Sequence, residues 1–277
     1  MNKSHRLIHI PLLLSAVLFL APLAWMLSTS FKTDTDIING LGSVRWLPST
    51  FTLDNYRAVL SNVAEFPVWR WTANSLLVSL GTTLLVLVVD SLAAYAYARL
   101  RWRGRDKVFT VLVATMLVPA QVLLIPTYLV IRQLGWFDTY WALIVPASAG
   151  SFGVFLLRQF MRSIPVELEE AARLDGCSSF GIYWHVILPL LRPALATLGI
   201  FTFMASWNAF ESPLIFTDSV TMRTLPIGIA IFQGHYGTQY GQMMAAASLA
   251  MVPVVVAFLI FQRYIIRGIS LTGLAGR

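Results

Sequence analysis

The chain has 277 residues, 57% of them hydrophobic and only 12% charged, about half the charged fraction of a soluble domain. With a mean hydropathy of +0.70 there is too little polar surface to cover such a core in water, which excludes an ordinary soluble domain. The net charge of +7 suits anionic lipid or nucleic acid, and the placement of the charges decides between them.

A hydrocarbon core of about 30 Å needs roughly 20 helical residues, and six apolar runs meet that length, at 7–28, 71–98, 109–131, 141–160, 190–216 and 241–261. The first follows Lys3 and Arg6 and contains Ala21 and Ala24, so a cleaved secretory signal competes with a retained anchor. Its apolar run is longer than a signal core, and the anchor is the expectation. The connection 31–70 is long and polar, with a turn at Leu47-Pro48-Ser49-Thr50 and a run from Thr52 to Tyr56 that suits the start of a short surface helix. It reads as a solvated connector. Asp90, inside the second run, is costly in lipid and is expected to face protein, hydrogen-bonded between helices.

The connection 161–190 holds four of the 13 acids, Glu167, Glu169, Glu170 and Asp175. A connection this long with helical periodicity of its own is usually functional. Ser163-Ile164-Pro165 suits a helix start, the acids follow where a helix dipole favours anions, and Gly176 suits its end. So short a helix needs packing, and Ala171, Ala172 and Gly176 let another surface come close. A second piece, 178–186, carries Phe180, Tyr183 and Trp184, and Pro189 is expected to break it.

In the fifth run, Trp207 and Asn208 offer an aromatic face and an amide, and Glu211 follows within one turn. The set suits a sugar ring and its hydroxyls, though helix packing is the favoured alternative. The segment 217–240, with Gly228, Gly234 and Gly237, reads as a re-entrant or mobile element.

Placing the N-terminus inside puts 14 of the 20 basic residues on cytoplasmic segments and six outside, so both termini are expected in the cytoplasm. The basic residues form no stripe with interleaved aromatics, which argues against nucleic acid. One cysteine, Cys177, excludes an internal disulfide, and the four histidines have no metal-ligand spacing. Lys3, Lys32 and Lys107 follow no phosphate-loop pattern, so any ATP is bound by another chain. No paired-carboxylate, cysteine or histidine constellation marks an enzyme, and no catalytic or metal residue is assigned.

The run Glu170-Ala171-Ala172, followed by Asp175-Gly176 and then Leu188-Pro189, resembles the EAA loop of ABC importer permeases. Asn74-Ser75, Ile125-Pro126-Thr127-Tyr128, Ile164-Pro165, Trp207-Asn208 and Pro213-Leu214 resemble the carbohydrate-importer branch, of the maltose-type second permease. Val186 stands where the family usually has isoleucine, and Phe210-Glu211-Ser212 where relatives keep bulky apolar residues.

The resemblance runs from about Ser30 to the C-terminus. It implies an all-α, six-span permease of the type I ABC importer fold in a bacterial inner membrane. An N-terminal helix and outer loop (1–70), a transmembrane core (71–265) with its coupling loop at 161–190, and a cytoplasmic tail (266–277) would make up the chain. The implied partners are a second homologous permease, an ATPase dimer that binds ATP-Mg, an extracytoplasmic solute-binding protein and membrane lipid, with no cofactor in this chain. The cargo is then a sugar or sugar-like solute, or else glycerol phosphate or a polyol. An ion-coupled secondary transporter is the rival from another class.

Overall fold

The computed structural model describes residues 3–39, 45–61, 67–148, 150–231 and 239–274, and all regular structure among them is helical. In chain order the helices are α1 (Lys3–Ser30), α2 (Asp34–Asn39), α3 (Asp54–Ser61), α4 (Val68–Ala98), α5 (Arg105–Ala114), α6 (Ala120–Gln133), α7 (Tyr140–Ala147) and α8 (Ser151–Arg162). There follow α9 (Glu167–Leu174), α10 (Ser179–Ile182), α11 (Leu188–Leu190), α12 (Arg192–Trp207), α13 (Glu211–Phe216), α14 (Leu225–Ile231) and α15 (Tyr240–Leu274). They form two compact units, one of Met1–Thr72 and Thr224–Pro253, the other of Ala73–Arg223 and Val254–Arg277.

In the first unit the residues after α1 fold back onto its end. A helix leaves its last four carbonyls without intrahelical partners, and the buried Asn55 of α3 supplies a donor there. Its Nδ2 donates to the carbonyls of Ser30 (3.0 Å) and Lys32 (2.8 Å). Ser30 Oγ and the Tyr56 hydroxyl share a 2.8 Å hydrogen bond, and Phe31 stacks on Phe51 at 4.6 Å. The buried Lys32 ammonium donates to the Arg45 carbonyl at 2.6 Å and lies 4.2 Å from the Trp25 ring centre. The expected short helix is present as α3, but the solvated connector is corrected: these polar side chains turn inward onto backbone carbonyls. In α14, Gly228 lies directly against the Trp71 indole. Gly234 and Gly237 fall outside the described residues.

The second unit is built around α4, α8 and α12, with α9, α10 and α11 packed beneath. Its apolar core joins Ala94 and Tyr95 to Leu157 and Met161, and to Ile187 and Leu198. Three of the expected spans are not single straight helices. The third breaks at Val118, whose backbone is extended ahead of Pro119, and the halves on either side are inclined by 103°. The preference of a residue before proline for extended geometry is the cause. The fourth is made of α7 and α8. The fifth ends at Trp207 and resumes as α13, because Asn208 and Phe210 leave helical geometry.

Among the described residues two helices are long and apolar enough to cross a membrane alone, Pro11–Ser30 and Val68–Ala98, and counting each bent pair as one span gives five. The apolar stretch Tyr240–Val256 is shorter.

The break expected at Pro189 falls instead at Leu191, where the preceding helical run and α12 meet at 76°. Pro189 lies in the first turn of α11, where its missing N–H is tolerated. The turn just before it, Tyr183–Ile187, is a π-helix.

Candidate functional site

The connection 161–190 forms two short helices; the start expected at Ser163 falls instead at Val166, with no side-chain cap, and Ser163 closes α8 by donating to the Phe160 carbonyl at 2.7 Å. α9 carries Glu167, Glu169 and Glu170 in its first turn and Arg173 in its last, matching both ends of the helix dipole. It stops at Gly176, where φ is +84°. There the Cys177 N–H donates to the Ala172 carbonyl (2.9 Å) and the Gly176 N–H to that of Arg173 (3.0 Å). This is the Schellman arrangement, which uses up two of the carbonyls a helix end leaves over. Ser178 then caps α10 by accepting from the Gly181 N–H at 3.2 Å.

The faces of α9 differ sharply. Ala172 and Glu169 are buried, Glu169 to 2% exposure. Glu170, Ala171, Asp175 and Gly176 are exposed, and Leu174 is 89% exposed. Beyond them Phe180 and Trp184 stack at 6.4 Å, both exposed. Ala172 therefore seats the helix on its own chain, and Ala171 lies on the open side. Leu188 is partly buried against the core and Pro189 is exposed.

The inner side is fastened to the end of α4 by three side chains, Ser91, Tyr95 and Arg99, spaced four residues apart and so on one helix face. Ser91 Oγ and the Tyr183 hydroxyl are 2.8 Å apart, and the Tyr95 hydroxyl donates to the Ser179 carbonyl at 3.0 Å. Arg99 donates through Nη2 to the carbonyls of Met161 and Ile164, both at 2.6 Å, and its Nε lies 2.6 Å from Glu169 Oε1. That last contact is ionic and not aligned as a hydrogen bond. Burial raises the Glu169 pKa above the ordinary carboxylate value, against the opposing pull of Arg99 and Arg173.

The interhelical hydrogen bond expected of Asp90 is made one residue on, by Ser91. Asp90 is buried and packs on Gly153 of α8, with no hydrogen bond to its carboxylate among the described residues.

The three residues of the fifth run do not converge. Trp207 is buried and stacks on Phe203 at 5.9 Å. The Asn208 side chain donates to the Met204 carbonyl of its own helix at 2.8 Å, closing the end of α12. Glu211 is exposed in the first turn of α13. Beside them a cavity of about 230 Å³ is lined by Val78, Thr82, Thr202, Ser206, Ser212 and Pro213, among others. The sequence reading missed these hydroxyls, although Thr202 and Ser206 stand four apart inside an apolar run.

The segment after α13 is fixed, correcting the mobile element for its first part. Asn74 Nδ2 donates to the carbonyls of Thr221 and Arg223, both at 2.8 Å, and Asn74 Oδ1 accepts from the Tyr140 hydroxyl at 2.8 Å. Asp138 Oδ1 accepts from the N–H groups of Asp218 (3.0 Å) and Ser219 (3.2 Å). Burial works against the Asp138 carboxylate, but these hydrogen bonds outweigh it and hold its pKa below the usual value.

Residues 91–271, from the Ser91 contact through the loop and on into α15, match the family described as binding-protein-dependent transport system inner membrane component. The chain belongs to that family.

Two relatives match nearly the whole permease. It is 34% identical to the arabinooligosaccharides transport system permease protein of Halalkalibacterium halodurans, over 92% of this chain and 91% of the relative. It is 34% identical to the trehalose/maltose transport system permease protein of Thermococcus litoralis, over 95% of this chain and 94% of the relative. In fold it matches a bacterial ABC transporter involved in import of the acidic polysaccharide alginate, with a TM-score of 0.80, 24% identity, and coverage of 95% and 98%.

The protein is thus an all-α inner membrane permease subunit of a binding-protein-dependent ABC importer, a transport protein and not an enzyme. ATP hydrolysis in such systems belongs to a separate subunit.

Proposed function

We propose that this permease forms half of the translocation path for a sugar or oligosaccharide, beside a second homologous permease, and that α9 and α10 couple it to an ATPase dimer. An extracytoplasmic binding protein delivers the solute, and ATP-Mg is held by the ATPase, with no cofactor in this chain. Both termini lie in the cytoplasm. The chain divides into an N-terminal helix and outer loop (1–70), a core (71–265) and a tail (266–277).

The observation that carries the coupling reading is the division of α9 into a fastened face and an open one. Glu170, Ala171, Leu174 and Gly176 are free to meet a partner. Ala172, Leu188 and the Ser91, Tyr95 and Arg99 contacts tie the loop to α4. A cleft that closes on ATP can then move the loop and the span together. Asp175 caps the end of α9, and Pro189 stands at the return to the core.

The sugar reading is supported by the relatives' cargoes and by the hydroxyl-lined cavity of Thr82, Thr202, Ser206 and Ser212. Trp207, Asn208 and Glu211 are proposed to border the path, Trp207 by shaping its wall.

The test is Leu174→Asp in the assembled transporter. Leu174 is so exposed that the fold should be unchanged, while a charge on the docking face should cost ATPase association or the stimulation of hydrolysis by loaded binding protein. Wild-type uptake with wild-type stimulated hydrolysis would reject the coupling role. Uptake of radiolabelled oligosaccharides against glycerol phosphate by the same complex decides the cargo.

A further inference from the structure

Where α4 ends and α5 begins, the second unit contains a polar pocket of about 540 Å³, lined by Arg99, Arg105, Asp106, Phe109, Arg158 and Arg162, among others. Arg99 is engaged with Glu169. Of the remaining three guanidinium groups, two share a single carboxylate and the third has none. Arg105 Nε lies 3.2 Å and Arg158 Nη2 3.3 Å from Asp106 Oδ1, while Arg162 has no ion-pair partner among the described residues. Arg158 is buried and its guanidinium lies 3.8 Å from the Phe109 ring centre, with Nε donating to the Tyr97 carbonyl. It is thereby fixed in place and cannot swing out to water.

Arg158 and Arg162 stand on one face of α8, four residues apart. The pocket therefore holds an excess of two positive charges at the ends of apolar helices, with no further carboxylate paired to them among the described residues. Such an arrangement is stabilised by an anion with several acceptor oxygens.

We propose that this pocket binds the phosphodiester of an anionic phospholipid from the leaflet beside the coupling loop. A lipid fits better than free phosphate because the wall continues into exposed apolar surface: on α5, Val108 and Val111 are exposed, and Leu117 in the turn that follows is more so. The headgroup enters between α5 and α8, and the acyl chains lie along α5. Basic pockets between spans are suited to anionic headgroups in this way. Through Arg99 the bound lipid adjoins the support of α9, so lipid composition reaches the coupling loop without any contact to solute.

The experiment uses the full chain assembled with its partner subunits, relipidated with phosphatidylglycerol or with phosphatidylcholine of the same acyl chains. Retained lipid is counted by native mass spectrometry. Phosphatidylglycerol should be retained in preference, and Arg162→Gln should lower that preference about five-fold, the worth of one arginine toward an anionic surface. The exposed Arg162 side chain makes no ion pair or hydrogen bond among the described residues, so this variant should fold. Asp106→Asn, which removes the competing carboxylate, should raise retention.

Arg101→Gln is the control, because Arg101 is an exposed base of the same connection outside the pocket. An equal loss with Arg101→Gln would mean general surface attraction and overturn the site. Equal retention of both lipids would do the same. Full displacement of phosphatidylglycerol by millimolar inorganic phosphate would show a free-phosphate site, and loss of the preference only on assembly would show that a partner protein covers the pocket. Either result rejects the lipid assignment.

Discussion

Arg99, the first residue beyond α4, holds Glu169 of α9 at 2.6 Å while its other nitrogen donates to two carbonyls at the end of α8 and just after it. One side chain thus joins α4, α8 and α9. The pair is buried, and breaking such a pair from one side costs about 3–5 kcal/mol because an uncompensated charge remains.

Arg99→Ala should therefore unseat α9 more severely than Glu169→Gln, which keeps the shape and removes the buried charge. Arg99→Lys should behave nearly as badly as alanine, since an ammonium cannot reach carboxylate and both carbonyls in one plane. Hydrogen exchange of the α9 amides in the purified complex checks this order. Equal protection in all three variants would show that Ala172 and its apolar neighbours seat the helix by themselves.

The same carboxyl makes the seating depend on pH, and the sign follows from its raised pKa. The folded state binds the Glu169 proton more tightly than the unfolded state, so stability falls as pH rises from the ordinary value of 4.5 through the raised one. Above that window the loss is complete and the curve is flat. α9 exchange should accelerate with pH across this interval beyond the intrinsic chemical rate. Glu169→Gln should abolish the excess.

Much of this arrangement could be read from the chain before folding. Gly176 as a helix end and acids in the first turn follow from local rules, and the structure places both accordingly; of the three small residues read as open to another surface, Ala171 and Gly176 are exposed while Ala172 is buried against its own chain. The Ser91, Tyr95 and Arg99 stripe was visible as a spacing of four but lay across the end of an apolar span, where hydropathy draws attention to length and away from faces. The break after Trp207 was less legible. In sequence Asn208 leaves a ligand amide and a packing role both open, and the fold shows which local bond it makes, closing its own helix on Met204. The bend at Pro119 was foreshadowed by the proline, but its angle depends on packing.

Gly176→Ala should cost about 1 kcal/mol, since a Cβ disfavours φ of +84°. No heavy atom lies within 4 Å of where that Cβ would be, so strain is the whole effect. Gly176→Asn, which tolerates the left-handed region, should recover part of the loss. Thermal unfolding of the three proteins tests it, and a leucine no worse than alanine in stability but much worse in stimulated ATP hydrolysis would separate docking from folding.

Asn74→Ala should free the Thr217–Arg223 segment without disturbing the loop. It removes donors from two carbonyls and the acceptor of the Tyr140 hydroxyl, each worth about 1 kcal/mol. Limited proteolysis at Arg223 should accelerate while α9 exchange stays unchanged.

Gly153→Ala probes a place where α4, α8 and α12 meet closely. A Cβ there would overlap the Asp90 carboxylate and lie 2.9 Å from Leu198 Cδ2, so α4, α8 and α12 would all have to yield. Overpacking of this kind costs about 1–3 kcal/mol, and the buried acid makes relief by rotation difficult because its carboxylate would turn toward apolar neighbours. The second variant, Gly153→Ala with Asp90→Ser, removes the overlapping atoms and should restore most of the loss. Thermal unfolding of single and double variants gives the coupling between the two sites. Additive effects would mean that Asp90 and Gly153 contribute independently.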